Sequence, residues 1–186
     1  MFQKLSEWAN VLFANPTRGW PACTMTALEY DLRSGSMNGI RVESPSDHAR
    51  SFGRADWFTG KDEDLHLDYR RLGLQVECFD GVITSFRVVL RPDTRPATRD
   101  QKFRPAALTL IDRLGEAIRF SALTTNRDLA ERLGAPIETD RVGEDRWHAF
   151  RVGSNLIESY HDLRSGQLLE IVFGLAIDEP EQRLAA

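Results

Sequence analysis

The stretch LGLQVECFDGVITSFRVVL, Leu72 to Leu90, alternates apolar and polar residues on both sides of an Asp80-Gly81 pair, which is the pattern of two antiparallel strands joined by a tight turn. About eighty residues on, RVGSNLIESYHDLRSGQLLEIVFG, Arg151 to Gly174, repeats it with a longer turn. The flanks align as well, so the chain carries an internal duplication. ALEYDLRSGSMNGIRVESPSDHARSFGRAD precedes the first hairpin and ALTLIDRLGEAIRFSALTTNRDLAERLGAP the second.

Each flank begins with Ala-Leu and crosses a glycine-containing turn into a short strand, Ile40-Arg41-Val42 in one copy and Ile118-Arg119-Phe120 in the other. A capping-box pattern follows, Ser44 with Asp47 and Thr125 with Asp128, and Pro45 fits a first helical position. The helices so opened run about eight residues and stop at Gly53 and Gly134. Helices that short do not persist alone in water. Each must bury an apolar set against a sheet: Ala49 and Phe52 in the first, and Leu129, Ala130 and Leu133 in the second. Acidic loops, TGKDED (Thr59 to Asp64) and DRVGED (Asp140 to Asp145), then lead into the hairpins, where Glu77 matches Glu158 and Phe79 matches Tyr160.

The expected class is α+β. Two tandem repeats each consist of a β-hairpin, a short helix and a three-stranded antiparallel meander, with the helix packed on the sheet, and an extra N-terminal helix covers about residues 2–14. The expected divisions are an N-terminal helix and lead-in (1–26), repeat 1 (27–90), a proline-rich linker (91–105), repeat 2 (106–176) and a C-terminal tail (177–186). Strand parity puts Leu74, Val76 and Cys78, with Phe86, Val88 and Leu90 across the turn, beneath the helix. The other face carries Gln75, Glu77 and Phe79 with Ser85, Arg87 and Val89. It is either solvated, as antiparallel sheets allow, or a binding surface.

Chemistry is harder to find. His48, His66, His148 and His161 lie in four different elements without the spacing that places two ligands on one helical face. His148 and His161 flank the same meander and could meet in space. Cys23 and Cys78 form no CxxC and read as free thiols. GSMNG, Gly35 to Gly39, has its serine one position early for a nucleophile elbow and reads as a turn. No phosphate-binding loop, glycine fingerprint or basic-aromatic alternation is found. The expectation is a chain that is not an enzyme and takes no cofactor or metal.

A net charge of -4 and a pI near 5.6 argue against non-specific attachment to nucleic acid or an anionic membrane. No apolar run approaches the roughly 18 residues of a membrane span, and Glu7 and Asn10 interrupt the N-terminal apolar stripe where a signal peptide needs continuity. A cytoplasmic location is expected.

A tandem of short helices laid on antiparallel sheets, the helices ending Gly53-Arg54-Ala55-Asp56 and Gly134-Ala135-Pro136, resembles the inhibitor proteins of β-lactamases and, at greater distance, the small assembly lipoproteins of the outer membrane. The chain departs from the inhibitors in lacking a signal peptide and the cysteine pairs that staple each repeat. The resemblance implies a sheet surface that grips another protein. A small, acidic bacterial protein of this kind also looks like the immunity proteins that neutralise antibacterial toxins. The function expected is therefore protein binding, an immunity-type inhibitor occluding the active site of a basic toxin domain. Its alternative is an assembly adaptor of a bacterial secretion or envelope complex. The expected contact residues are Asp62, Glu63, Asp64, Glu77, Phe79, Arg87, Glu144, Asp145, Trp147, Glu158 and Tyr160.

Overall fold

In the computed structural model, which describes residues 15–61, 64–91 and 103–176, the first half of the chain forms β1 (Leu28–Asp31), β2 (Ser36–Met37), β3 (Ile40–Arg41), a 3-10 helix (Ser46–Phe52), β4 (Trp57–Lys61), β5 (Asp64–Tyr69), β6 (Leu74–Phe79) and β7 (Val82–Val89). The second half forms β8 (Leu108–Ile111), β9 (Ala117–Phe120), α1 (Asn126–Leu133), β10 (Glu138–Val142), β11 (Asp145–Val152), β12 (Asn155–Asp162) and β13 (Leu168–Leu175). The N-terminal helix expected over residues 2–14, most of the linker and the C-terminal tail lie outside the described residues.

These strands make two sheets, one of five in the order β3-β2-β1-β8-β9 and one of eight in the order β10-β11-β12-β13-β7-β6-β5-β4. The expected α+β repeat of helix on sheet is thereby overturned: the described chain is mostly strand, has two short helical segments, and neither copy keeps a sheet to itself. Alternation identifies the faces of a strand but says nothing of its neighbour. Each copy ends on a strand with one unpaired edge, and β7 and β13 satisfy those edges against each other, antiparallel, with Phe86 opposite Phe173. The opening strands β1 and β8 meet in the parallel sense, Leu28 opposite Leu108. Equivalent strands are thus related by a local twofold in the large sheet, whereas in the small one β1 and β8 run parallel with their hairpin partners on opposite sides.

The acidic segments expected as loops are hairpins. Trp57 to Lys61 pairs with Asp64 to Asp68 and Glu138 to Val142 with Asp145 to Ala149, so each meander has four strands rather than three. The two helical segments differ as well. Thr125 and Asp128 close the expected capping box on α1, whereas the 3-10 helix is capped by Pro45 with no side-chain hydrogen bond, so the Ser44-Asp47 box does not form. Gly53 ends the 3-10 helix at φ 88°, and a Cβ there would meet the backbone of Cys23 at 2.7 Å. Gly53→Ala should therefore cost about 2 kcal/mol, from strain and overlap together. A urea midpoint equal to that of the parent protein would show that the Cys23 segment yields freely.

The sheets face each other across one core. Tyr30 of β1 stacks on Phe173 of β13, ring centroids 4.0 Å apart, and its hydroxyl donates to Asn155 Oδ1 at 2.9 Å. At the other side, Phe52 of the 3-10 helix rests on Tyr69 and Phe86, at 5.6 and 6.1 Å, and Tyr69 donates to the Ala49 carbonyl. Leu129 and Leu133 of α1 close the second half. The eight-stranded sheet keeps one face turned away from this core.

Candidate functional site

Register places the outward residues of the eight-stranded sheet in transverse rows. One row runs Trp57, Asp68, Gln75, Arg87, Val172, Glu158, Ala149, Glu138. The next carries Val89, Glu170, Tyr160, Trp147 and Asp140. Thr59, His66, Glu77, Ser85 and Gly174 form the row on the other side.

The two ends of this face differ. Over β5 to β7, Asp68, Gln75 and Val89 are each 1% exposed. Arg70 lies over the Trp57 ring, 4.9 Å from its centroid, and reaches Asp68 at 3.7 Å, while Gln75 donates to the same carboxylate. Over β11 and β12 the rings of Trp147 and Tyr160 are half-buried and paired across the strands. Arg87, at the centre, forms an ion pair with Glu170, both side chains largely shielded from water.

Glu158 is the carboxylate that the second half of the face desolvates. Burial raises its pKa, the Tyr160 hydroxyl, which donates to it at 3.4 Å, and the Trp147 indole pull it back, and the charges of Glu77 and Glu138 push it up again. The Trp147 N–H stops short of full hydrogen-bond geometry. Burial and the charges of Glu158 and Glu170 push the Tyr160 phenol up to about 12, so it remains a neutral donor. Glu77 accepts from Ser85 Oγ at 2.7 Å and lies 3.6 Å from His66 Nδ1.

Of the expected contact residues, Glu77, Arg87, Trp147, Glu158 and Tyr160 share this face. Phe79 lies at the tip of the β6–β7 hairpin, 63% exposed, paired with the exposed Val82. Asp64 is at the sheet margin and accepts from the Asp80 amide at 3.0 Å, tying two turns together. Glu144 and Asp145 sit at the β10–β11 turn, where Glu144 pairs with Arg164 at 3.3 Å. Asp62 and Glu63 lie outside the described residues. Glu170 and Glu138 were not among the expected contact residues, and parity along β13 from the buried Phe173 would have found the first.

On the inner side, His148 and His161 do meet, edge to face with centroids 5.8 Å apart. Among the described residues no group of three or more histidine, cysteine or carboxylate side chains is placed to hold a metal ion. Both cysteines are free, and burial, then the Glu77 charge, pushes the Cys78 thiol up to about 11, leaving it protonated and inert. Among the described residues no helix is long and apolar enough to cross a membrane.

Family models give no match to the sequence, and curated proteins give none. Two solved structures are similar to the chain at low identity. A DUF4309 family protein, YjgB, from Bacillus subtilis is 12% identical with a TM-score of 0.46, the match covering 74% of this chain and 83% of that one. An extracellular protein containing an SCP domain from Bacillus anthracis is 9% identical with a TM-score of 0.44, over 72% of this chain and 43% of that one.

Proposed function

We propose that the protein is a binding module, an immunity-type inhibitor that covers the active site of a basic protein with the outward face of its eight-stranded sheet, acting in the cytoplasm. The observation that supports this reading is the Trp147–Tyr160 pair beside the desolvated Glu158, with Glu77, Glu138 and Glu170 around it. Two flat rings with polar tips provide binding area at low entropic cost. The surrounding carboxylates steer a cationic partner and contribute mainly to its association rate. A basic side chain entering between the rings would meet Glu158 in a setting where an ion pair is strengthened by the loss of water.

Replacing Tyr160 or Trp147 by alanine should weaken binding by about 2 kcal/mol, expressed as faster dissociation. Neutralising Glu144 and Asp145 at the hairpin turn should instead slow association and flatten its salt dependence. The measurement is surface plasmon resonance with the basic protein captured from the source organism's lysate, across a salt series. Kinetics unchanged in all four variants would place the interface elsewhere, and a captured protein whose activity is untouched by saturating binder would reject inhibition.

A further inference from the structure

Unsatisfied polar atoms concentrate at one corner of the molecule. Ser159 Oγ, Asn126 Oδ1 and both ring nitrogens of His161 lack a partner in full hydrogen-bond geometry, the Thr124 carbonyl only approaching the His161 ring. All lie on the inner side of β11 and β12, where these strands pass beneath the start of α1. His161 is 4% exposed and Ser159 fully buried. A cavity of about 140 Å³ opens beside them, lined by Asn126, Arg146, His161, Asp162, Leu163 and Gly166. Buried polar atoms of this kind ordinarily have partners, so a cluster without them is held at a cost.

His148 bridges three elements at this corner. The Asn126 amide, at the first turn of α1, donates to its Nε2, which leaves its proton on Nδ1 to be donated to Thr139 Oγ1 of β10 at 3.0 Å. Around the pair, β10 brings Thr139 and Arg141, and β11 brings Arg146, which is opposite His161. From β12 comes Asp162, whose Oδ1 accepts from the Arg164 and Ser165 amides and the Ser165 hydroxyl. β13 offers only Leu168, which is opposite His161. α1 adds the positive end of its dipole, while Asp128 is locked in the capping box. No carboxylate charge is among the influences on His161. Burial, then His148, push the pKa of His161 down to about 4, the Thr124 carbonyl pulls it back and Arg146 adds a smaller push down, and burial lowers that of His148 too.

Strand alternation connects this corner to the outward face. His148 and Trp147 are neighbours on β11 pointing to opposite sides, and so are His161 and Tyr160 on β12. An imidazolium at this corner is repelled by Arg146 and by the positive end of α1, and separating β11 and β12 from α1 relieves this and shifts the two rings on the reverse side.

We propose that the His148–His161 pair is an acid-sensitive latch: protonation opens the contact between α1 and β11–β12 and displaces the Trp147–Tyr160 pair, releasing the partner. The release rests on the binding role proposed above, whereas the opening is a property of the free protein. A folded-state pKa below the unfolded value means that stability is full above about pH 6.5 and is lost as the pH falls toward about 4.

The experiment uses the full-length free protein. Hydrogen exchange, corrected for the intrinsic pH effect, should rise at least about tenfold in α1 and β11 between pH 7.5 and pH 4, with β6 amides unchanged. Over the same range the emission assigned to Trp147, from the difference against Trp147→Phe, should shift to the red. His161→Phe and His161→Gln should both abolish the local response. Proton NMR of the ring should show His161 titrating near pH 4, which also covers the case in which neither variant folds. A His161 midpoint near 6.5, acceleration spread equally over β6, or an unaltered response in either folded variant would overturn the latch. Because no partner is present, failure here leaves the binding role standing, and failure to find a partner leaves the latch standing.

Discussion

Phe173→Ala should destabilise the protein by about 3–5 kcal/mol. Phe173 is fully buried, stacked on Tyr30 from the small sheet and paired across the strands with Phe86, itself fully buried under Phe52. The ring therefore fills space where both copies and both sheets converge. The neighbours cannot collapse into the void, since Tyr30 is held by its bond to Asn155 and Phe86 by the ladder to β6. Phe86→Ala should cost a similar amount, and the double variant less than the sum, because each single change already loosens the shared contact. Urea unfolding followed by circular dichroism provides the values. A loss below about 1 kcal/mol in both single variants would mean that the sheets do not pack through this pair.

The faces of this pair were legible in the sequence and its pairing was not. Two-residue alternation put Leu74, Val76, Cys78, Phe86, Val88 and Leu90 on one side, and all six are buried. The same alternation put Glu77, Arg87, Glu158 and Tyr160 on the other side. Pairing between β7 and β13 joins residues more than eighty positions apart and is decided by which unsatisfied edges meet, something no local pattern encodes. Alternation also breaks where the strands bulge. Glu77-Cys78 faces a strand with one extra residue, Thr84, so that Ile83 and Phe86, three apart, point the same way. The acidic segments were misread as loops because charge suggests solvent, and edge hairpins such as β10 are as solvated as loops. For the candidate site, parity was enough to bring five of the expected residues to one face. It could not show that Asp68 and Gln75 would be closed off on that face, since this depends on Arg70 folding back over Trp57 from a turn.

Asn155→Ala should cost about 3 kcal/mol although it removes only a small side chain from a turn. Gly153-Ser154 connects β11 to β12, and Asn155 Nδ2 donates to the Val152 carbonyl at 3.1 Å across that turn. The same nitrogen donates to the Leu32 carbonyl at 3.0 Å and Oδ1 accepts from Tyr30 at 2.9 Å, so one amide joins the hairpin of the large sheet to the first strand of the small one. Its loss strands a buried hydroxyl and a carbonyl at once, and an unpaired buried group costs more than a formed hydrogen bond contributes. Tyr30→Phe should cost less, about 1–2 kcal/mol, because it leaves one acceptor unpaired and keeps the ring on Phe173. Asn155→Asp should be the worst of the three. It keeps the bond from Tyr30 but turns a carboxylate oxygen toward two carbonyls, and above its pKa it buries a charge. A double-mutant cycle between Tyr30→Phe and Asn155→Ala isolates the pair. A coupling near zero would mean that the sheets are joined by apolar contact alone and that this amide does no more than close its own turn.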